Sequence, residues 1–99
     1  MHQQEKQFFV YLLASGKNGT LYLGVTSDLP KRVWQHKSKL VEGFTHKPGV
    51  DRLVWFESCP DAQSDILREK QLKKWNRDWK IRLIEAENPQ WGDLYETVL

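Results

Sequence analysis

The sequence lacks the features of several protein classes. It has one cysteine, Cys59, which excludes an internal disulfide and a cysteine-rich zinc site and fits a reducing compartment. The N-terminal MHQQEKQ has no apolar run behind a basic segment, so no secretory signal is predicted. No stretch approaches the roughly 20 apolar residues of a membrane span. We therefore expect a cytoplasmic protein with no membrane association.

The chain also lacks repeats, low-complexity tracts and linkers. Its 99 residues are enough for one domain with one core, and we expect residues 1–99 to form that single domain. The tail, residues 88–99, carries Trp91, Leu94, Tyr95 and Val98, so it is predicted to pack back on the domain. We expect a monomer that needs no obligate protein partner.

The net charge is only +2, but the charges are unevenly distributed. Residues 31–47 hold five Lys and Arg against one acidic residue, and residues 68–82 hold seven against two. Residues 83–99 hold four acidic residues and no Lys or Arg. Such clustering favours a polyanionic partner such as nucleic acid. Ordinary solvated helix faces give the same pattern, so charge alone leaves both interpretations open.

Hydrophobic patterns and turn residues predict an α+β fold in the order β-β-α-β-α-α, a small three-stranded antiparallel sheet flanked by helices. Asn18-Gly19 is a hairpin signal, Ser27 or Asp28 can cap the first helix, and Ser58 is expected to cap the second. The predicted elements are strands at 8–14, 20–25 and 52–57, and helices from the first cap to about 39, from the second cap to about 75, and at 79–86.

Glu69 lies in the predicted second helix, on one face with Ala62, Ile66 and Lys73. Ala62 and Ile66 are expected to be core contacts, and a carboxylate beside them needs a partner. Lys73 could supply an ordinary salt bridge at the i, i+4 spacing. A divalent metal ion is the alternative, since Mg²⁺ often takes only one or two carboxylates. The spacing favours the salt bridge.

Arg32 and His36 lie one turn apart on the predicted first helix. A guanidinium can bind two phosphate oxygens, and an imidazole can move a proton near neutral pH. An exposed basic helix with a chance histidine explains the same pattern.

Tyr11 and Tyr22 lie on adjacent predicted strands, so their rings can reach the same region. A buried aromatic pair is the usual meaning, and a phenol of lowered pKa that accepts a proton is the alternative. Gly24 indicates a close approach of backbone or ligand, or simply the end of a strand.

These residues resemble the GIY-YIG nuclease superfamily in their order along the chain, which is Tyr11, Tyr22-Leu23-Gly24, Arg32, His36 and Glu69. Phe9-Val10-Tyr11 resembles the "GIY" element, with only the Tyr retained, and Tyr22-Leu23-Gly24 resembles the "YIG" element. The runs YLGVTSDLPKRVWQHK, LVWFE and REKQLKKW are similar to those of small single-domain bacterial members, which are related to the N-terminal domain of an excision-repair nuclease. The resemblance covers about residues 7–87, nearly the whole chain.

The resemblance implies a DNA endonuclease that hydrolyses phosphodiester bonds with Mg²⁺ or Mn²⁺, with a link to DNA repair or recombination. Glu69 would be the sole protein ligand of the metal, and Arg32 would stabilise the charge of the transition state. Tyr22 would be the general base or a water-orienting phenol, with its pKa lowered by Arg32 and the metal. Tyr11 would help to hold the nucleophile, and His36 would lie near it.

Further cations would hold the DNA backbone without reading its sequence. These are Lys31, Lys37, Lys73, Lys74, Arg77 and Lys80.

Members of the family carry an asparagine beyond the glutamate, and no residue of this sequence can be assigned to that position. Asn76 lies too near Glu69, and Asn88 lies too far from it. A non-catalytic nucleic-acid-binding module of the same fold is therefore the alternative to a nuclease. A third reading is an interaction domain that uses surface tryptophans, although a small domain usually needs such bulk in its core. The tryptophans in question are Trp55, Trp75, Trp79 and Trp91.

Overall fold

A hairpin of two antiparallel strands begins the fold in the computed structural model, which describes residues 7–38 and 49–99. The described elements are β1 (Phe8–Ala14), β2 (Leu21–Thr26), α1 (Leu29–Lys37), β3 (Arg52–Cys59), α2 (Ala62–Lys74), α3 (Arg77–Glu87) and a short 3₁₀ helix (Tyr95–Val98). The predicted α+β class and element order are confirmed. The end predicted for the first helix, near Lys39, lies outside the described residues.

The sheet has the order β2-β1-β3, with both pairings antiparallel. β1 is the central strand, and its side chains alternate between the two sides of the sheet. Val10, Leu12 and Ala14 face one side, which we call the apolar face, where α2, α3 and the start of the tail cover them. Tyr11 and Leu13 face the other, the tyrosine face, covered by α1 and the end of the tail. The sequence of β1, FFVYLLA, does not alternate between apolar and polar residues, because both faces of this strand are buried.

Side-chain caps fix where each helix begins. Asp28 accepts a hydrogen bond from the Lys31 amide at 3.2 Å, as one of the two caps predicted for α1. The prediction that Ser58 caps α2 is wrong, because β3 runs on through Ser58 and the cap is Asp61. The prediction that α3 starts at Trp79 is also wrong. Asn76 accepts from the Trp79 amide, which starts the helix at Arg77.

The expected core contacts of Ala62 and Ile66 are likewise wrong. Ala62 is exposed, and Ile66 is 46% exposed. α2 instead turns Asp65 and Leu72 toward the sheet, two residues that are seven apart and so share a face. The helix face that carries Ala62, Ile66, Glu69 and Lys73 therefore lies at the border of the core.

The tail passes from the apolar face to the tyrosine face around the edge of β3. Trp91 is fully buried in the apolar-face cluster, and its indole N–H donates to Glu85 at 2.7 Å. The Leu94 amide then donates to the carbonyl of Leu53 on β3 at 2.8 Å. Asp93 pairs with Lys37, which joins the tail to α1. Within the described ranges, no helix has both the length and the apolar character needed to cross a membrane.

Candidate active site

Three rings from β1, β2 and α1 meet on the tyrosine face. The ring centroids of Tyr11 and Tyr22 are 6.2 Å apart, those of Tyr11 and His36 6.2 Å, and those of Tyr22 and His36 5.1 Å. We call these three residues the ring cluster. The hairpin register aligns Tyr22 with Leu13, and α1 carries His36 back across the same face. The shared region predicted for the two tyrosines is thus present.

Gly24 lets the ring of Tyr11 lie over β2. The two residues are direct partners in the hairpin. A Cβ atom at position 24 would lie only 2.6 Å from the Tyr11 Cζ and Oη atoms. A larger residue would push the Tyr11 ring away, so the close approach indicated by Gly24 is that of an aromatic side chain.

His36 is a buried, neutral imidazole at pH 7. It is 8% exposed, and its Nε2 atom lies 3.4 Å from the Tyr11 hydroxyl. Burial lowers the pKa of His36 below its usual 6.5, and the nearby Arg32 guanidinium lowers it further, whereas Asp51 opposes both. A neutral imidazole can accept a proton.

The two phenols are also neutral at pH 7. Burial raises the pKa of Tyr11 far above its usual value, against the opposing charge of Arg32. Burial also raises the pKa of Tyr22, so the expected lowering is wrong for this protein: desolvation outweighs Arg32. A hydrogen bond between the phenols raises the pKa of Tyr11 and lowers that of Tyr22, as expected when Tyr11 donates and Tyr22 accepts.

Arg32 and Glu69 complete the site from two different helices. Arg32 acts electrostatically on all three rings, and Glu69 acts on Tyr22. α2 packs on the apolar face and contacts β2, one of the two edge strands of the sheet, and Glu69 lies within electrostatic reach of Tyr22 on that strand. The predicted salt bridge between Glu69 and Lys73 is confirmed, with an N–O distance of 3.3 Å. Three of the five predicted site residues are thus in ring contact, and the other two lie within electrostatic reach of them.

The acidic residues at this site fit a hard divalent cation with few protein ligands. Within residues 7–38 and 49–99, no group of three His, Cys, Asp or Glu side chains could hold a metal. Glu69 has a side chain that is 20% exposed, and the carboxylate of Asp65 lies one turn before it on α2. Mg²⁺ and Mn²⁺ accept this arrangement, since water and phosphate oxygens supply the other ligands, whereas Zn²⁺ requires three or four protein ligands. Lys73 is 62% exposed and can move away from the carboxylate.

The predicted DNA-binding cations differ in their availability. Lys31 is exposed beside Arg32, in a polar groove of about 210 Å³ at the start of α1. Lys74 is exposed at the end of α2. Lys37 is paired with Asp93, and Arg77 donates to the carbonyls of Asn18 and Gly19 at 2.7 Å each. These last two cations stabilise the fold.

Lys73 pairs with Glu69, and Lys80 is partly exposed. DNA contacts by any of the six cations remain predictions.

Sequence reasoning missed Asp65, which lies one turn before Glu69 on α2. It is 3% exposed, and its Oδ1 atom has no hydrogen-bond partner among the described residues. Burial raises the pKa of Asp65 to about 6, the charge of Glu69 adds to the rise, and a hydrogen bond with Cys59 opposes it. The i, i+4 spacing of Asp65 and Glu69 was the available signal.

Two tyrosines on adjacent strands, one of them lying over a glycine, with an arginine and a glutamate on flanking helices, resemble the site of the GIY-YIG nuclease domains. Comparison with known proteins agrees, because residues 7–82 match the GIY-YIG catalytic domain. The chain belongs to the GIY-YIG family, and this match points to a nuclease-type domain.

The relatives are small proteins described as UPF0213 proteins. The chain is 32% identical to one from Clostridium perfringens over 80 residues, which cover 81% of this chain and 85% of the relative. It is 34% identical to one from Syntrophus aciditrophicus, over 83% and 93% of the two chains. The solution NMR structure of the UPF0213 protein from Bacillus halodurans has a TM-score of 0.55 at 26% identity, over 88% of this chain and 92% of that one.

Proposed function

We propose that this protein is a divalent-metal-dependent endonuclease that hydrolyses phosphodiester bonds in DNA. One observation supports the proposal: Arg32 and Glu69 lie within electrostatic reach of the ring cluster, although these residues come from four separate elements. This set combines cationic, proton-accepting and metal-binding groups, which phosphodiester hydrolysis requires.

Each residue has a role that its surroundings support. Glu69 would hold Mg²⁺ or Mn²⁺, which supplies Lewis-acid stabilisation of phosphate oxygens. Arg32 would bind the non-bridging oxygens as their negative charge grows. Tyr22 keeps its proton at pH 7 and would orient the attacking water through its hydroxyl. Tyr11 holds Tyr22 by its hydrogen bond.

His36 is the group best suited to take the proton at neutral pH. Its imidazole is already neutral, whereas either phenol would have to lose a proton from a raised pKa before it could act as a base. The proton of the water would pass to the ring nitrogen of His36 that carries no hydrogen, while Tyr11, whose hydroxyl lies 3.4 Å from Nε2, helps to hold the ring. Activity should therefore fall on acidification below the pH range in which His36 is neutral.

The candidate substrates are nicked, branched and single-stranded DNA, the forms met in DNA repair and recombination. A labelled panel tests them: supercoiled plasmid, nicked duplex, flap, three-way junction and single strand, each with Mg²⁺, Mn²⁺ or chelator. We expect metal-dependent cleavage that Glu69→Gln lowers by about 10²-fold or more. Glu87→Gln, at an exposed carboxylate that ends α3, is the matched control and should cleave normally.

The alternative is a nucleic-acid-binding module without catalysis. Two features favour this alternative. The asparagine typical of the family has no assigned counterpart in this sequence, and the ion pair with Lys73 occupies Glu69, the carboxylate expected to bind the metal. Intact substrates, together with gel shifts that vanish as salt is added, would establish the alternative. Absence of binding even at low salt would contradict both functions.

A further inference from the structure

Asp65 is the only acidic side chain that is buried within residues 7–38 and 49–99. Its Oδ1 atom has no hydrogen-bond partner, and its carboxylate forms a hydrogen bond with the thiol of Cys59 at the end of β3. A thiol is a weak donor and carries no positive charge. A buried carboxylate is costly unless a cation lies beside it, because an isolated charge loses its water. Cys59 alone does not meet this cost.

The positive side chains that follow Asp65 on α2 have other carboxylate partners. Arg68 forms an ion pair with Glu57 at 3.1 Å, and Lys73 forms one with Glu69 at 3.3 Å. Within the described ranges no ion pair includes Asp65. Burial raises the pKa of Asp65 only to about 6, so the group still carries most of a negative charge at pH 7. Positive charge for this carboxylate therefore has to come from another source.

Glu69 follows Asp65 by four residues, so the two carboxylates lie on the same side of α2. Side chains at this spacing have Cβ atoms about 5–6 Å apart in a helix. The negative charge of Glu69 also raises the pKa of Asp65, as expected when the two groups repel each other. A cation held by Glu69 would attract both carboxylates and so reverse the effect of this repulsion.

Two carboxylates one turn apart suit a hard divalent cation. Mg²⁺ and Mn²⁺ take one or two protein carboxylates and complete their coordination with water and phosphate oxygens. Burial raises the pKa of the Cys59 thiol, and the negative charge of Asp65 raises it further, so the sulfur stays protonated. A protonated thiol is a poor metal ligand, which makes Zn²⁺ or a copper ion a worse match for this pair of residues.

We propose that Asp65 is the second carboxylate of the divalent-cation site at Glu69. It acts through its negative charge, across one turn of α2, and strengthens cation binding without having to touch the ion. Asp65 is thus a positioning residue and not a catalytic one. This inference rests on the metal-binding part of the proposed function, in which Glu69 holds the cation.

Binding of Mn²⁺ to the full chain tests the proposal at pH 7, with the EPR signal of free Mn²⁺ as the readout. We expect Glu69→Gln to abolish specific binding and Asp65→Asn to weaken it about tenfold, because Asn keeps the shape of Asp but removes its charge. Asp78→Asn removes an exposed carboxylate on α3 and is the matched control. It should bind Mn²⁺ as the wild type does.

A conservative variant separates the charge of residue 65 from its packing. Asp65→Glu keeps the charge and should recover the Mn²⁺ affinity that Asp65→Asn loses. Circular dichroism melting checks the fold of each variant, and Asp65→Ser is a second neutral replacement if Asp65→Asn unfolds. Mn²⁺ should also raise the melting temperature of the wild type more than that of the neutral variant, because tighter binding to the folded state stabilises it more.

The outcomes distinguish this inference from the proposed function. Mn²⁺ binding that Glu69→Gln weakens and Asp65→Asn leaves unchanged would overturn the inference alone. Equal weakening by Asp65→Asn and Asp65→Glu, or by Asp78→Asn, would also overturn it. Absence of specific Mn²⁺ binding by the wild type would contradict both the inference and the proposed metal dependence. Binding that needs both carboxylates, without cleavage of any DNA in the panel, would support the inference and contradict the nuclease.

Discussion

The two faces of the sheet are built from the same central strand but differ in what they bury. The apolar face encloses Val10, Leu12 and Ala14 under α2, α3 and Trp91, mostly with hydrocarbon. The tyrosine face encloses Tyr11 beside a buried histidine, within the electrostatic reach of an arginine. One face thus supplies much of the stabilising burial, and the other holds polar groups at a cost in desolvation.

The difference teaches how a small domain can accommodate an active site. Polar groups on the tyrosine face share hydrogen bonds, as Tyr11 does with His36 and Tyr22, so few of their atoms lose water without replacement. Asp65 breaks the pattern, because it lies toward the apolar side with one carboxylate oxygen unpaired. The predictions below test this division, beginning with the largest expected effect.

Replacing Trp91 by Ala should cause the largest loss of stability. Trp91 is fully buried on the apolar face, and removal of a buried tryptophan costs about 3–5 kcal/mol through lost burial and a cavity. Urea unfolding followed by circular dichroism measures the change. Trp34→Ala is the control and should change the free energy of unfolding by less than about 1 kcal/mol. Equal losses in the two variants would show that the tail contributes little to the core.

Replacing Asp65 by Asn should change how stability depends on pH. The pKa of Asp65 is about 6 in the folded protein and 3.8 as a free group, so between these values the folded state binds more protons than the unfolded chain. Stability must then fall as pH rises through that window, a fall of about 3 kcal/mol in total, which an amide at position 65 would remove.

Urea unfolding at pH 4 and pH 7 measures this effect. Relative to the wild type, Asp65→Asn should become more stable on going from pH 4 to pH 7. Asp78→Asn, at an exposed carboxylate on α3, should follow the wild type. A difference between the wild type and Asp65→Asn that is the same at both pH values would show that folding does not raise the pKa of Asp65.

Much of the fold follows from local sequence. The apolar run of β1, the Asn18-Gly19 turn and the cap at Asp28 predict elements within a few residues of their observed bounds. The errors occur where two signals compete. Ser58 and Asp61 can both cap a helix, and pairing of β3 with Phe8 and Phe9 decided for Asp61 by extending the strand through Ser58. Long-range pairing of this kind is not encoded in the local pattern.

The sequence could predict which residues are candidates for the site, but it could not predict how readily their side chains ionise. Order and spacing identify Arg32, His36 and Glu69 as candidates, because a resemblance preserves spacing. The pKa of Tyr22 could not be predicted, since it depends on how deeply the ring is buried relative to Arg32. Helical spacing also could not fix the rotation of α2, which turned Asp65 inward and left Ile66 exposed.

Replacing Gly24 by Ala should disturb the tyrosine face while leaving the apolar face intact. The new Cβ atom would lie 2.6 Å from the Tyr11 ring, which must shift, at a cost of about 1–3 kcal/mol. We expect both lower stability and lower DNA cleavage. Gly16→Ala is the matched control, because a Cβ atom there meets nothing within 4 Å. If the two variants are equally stable and active, Tyr11 does not need its place over β2.

Replacing Tyr11 by Phe is the subtlest test, because it removes one oxygen and keeps the ring. Loss of the hydrogen bonds to His36 and Tyr22 should cost about 1 kcal/mol of stability. The pKa of Tyr22 should rise further, because its ionised form would lose the hydrogen bond from Tyr11 that now lowers that pKa.

With only three tyrosines in the chain, ¹³C NMR of labelled tyrosine can follow the titration of Tyr22 in Tyr11→Phe. Tyr95→Phe, which alters a tyrosine outside the ring cluster, should leave that titration unchanged. An unchanged pKa of Tyr22 in Tyr11→Phe would mean that the two phenols do not form a hydrogen bond with each other in solution. Tyr11 would then serve the site through its packing and its contact with His36, and the two phenols would stabilise the tyrosine face as separate aromatic rings.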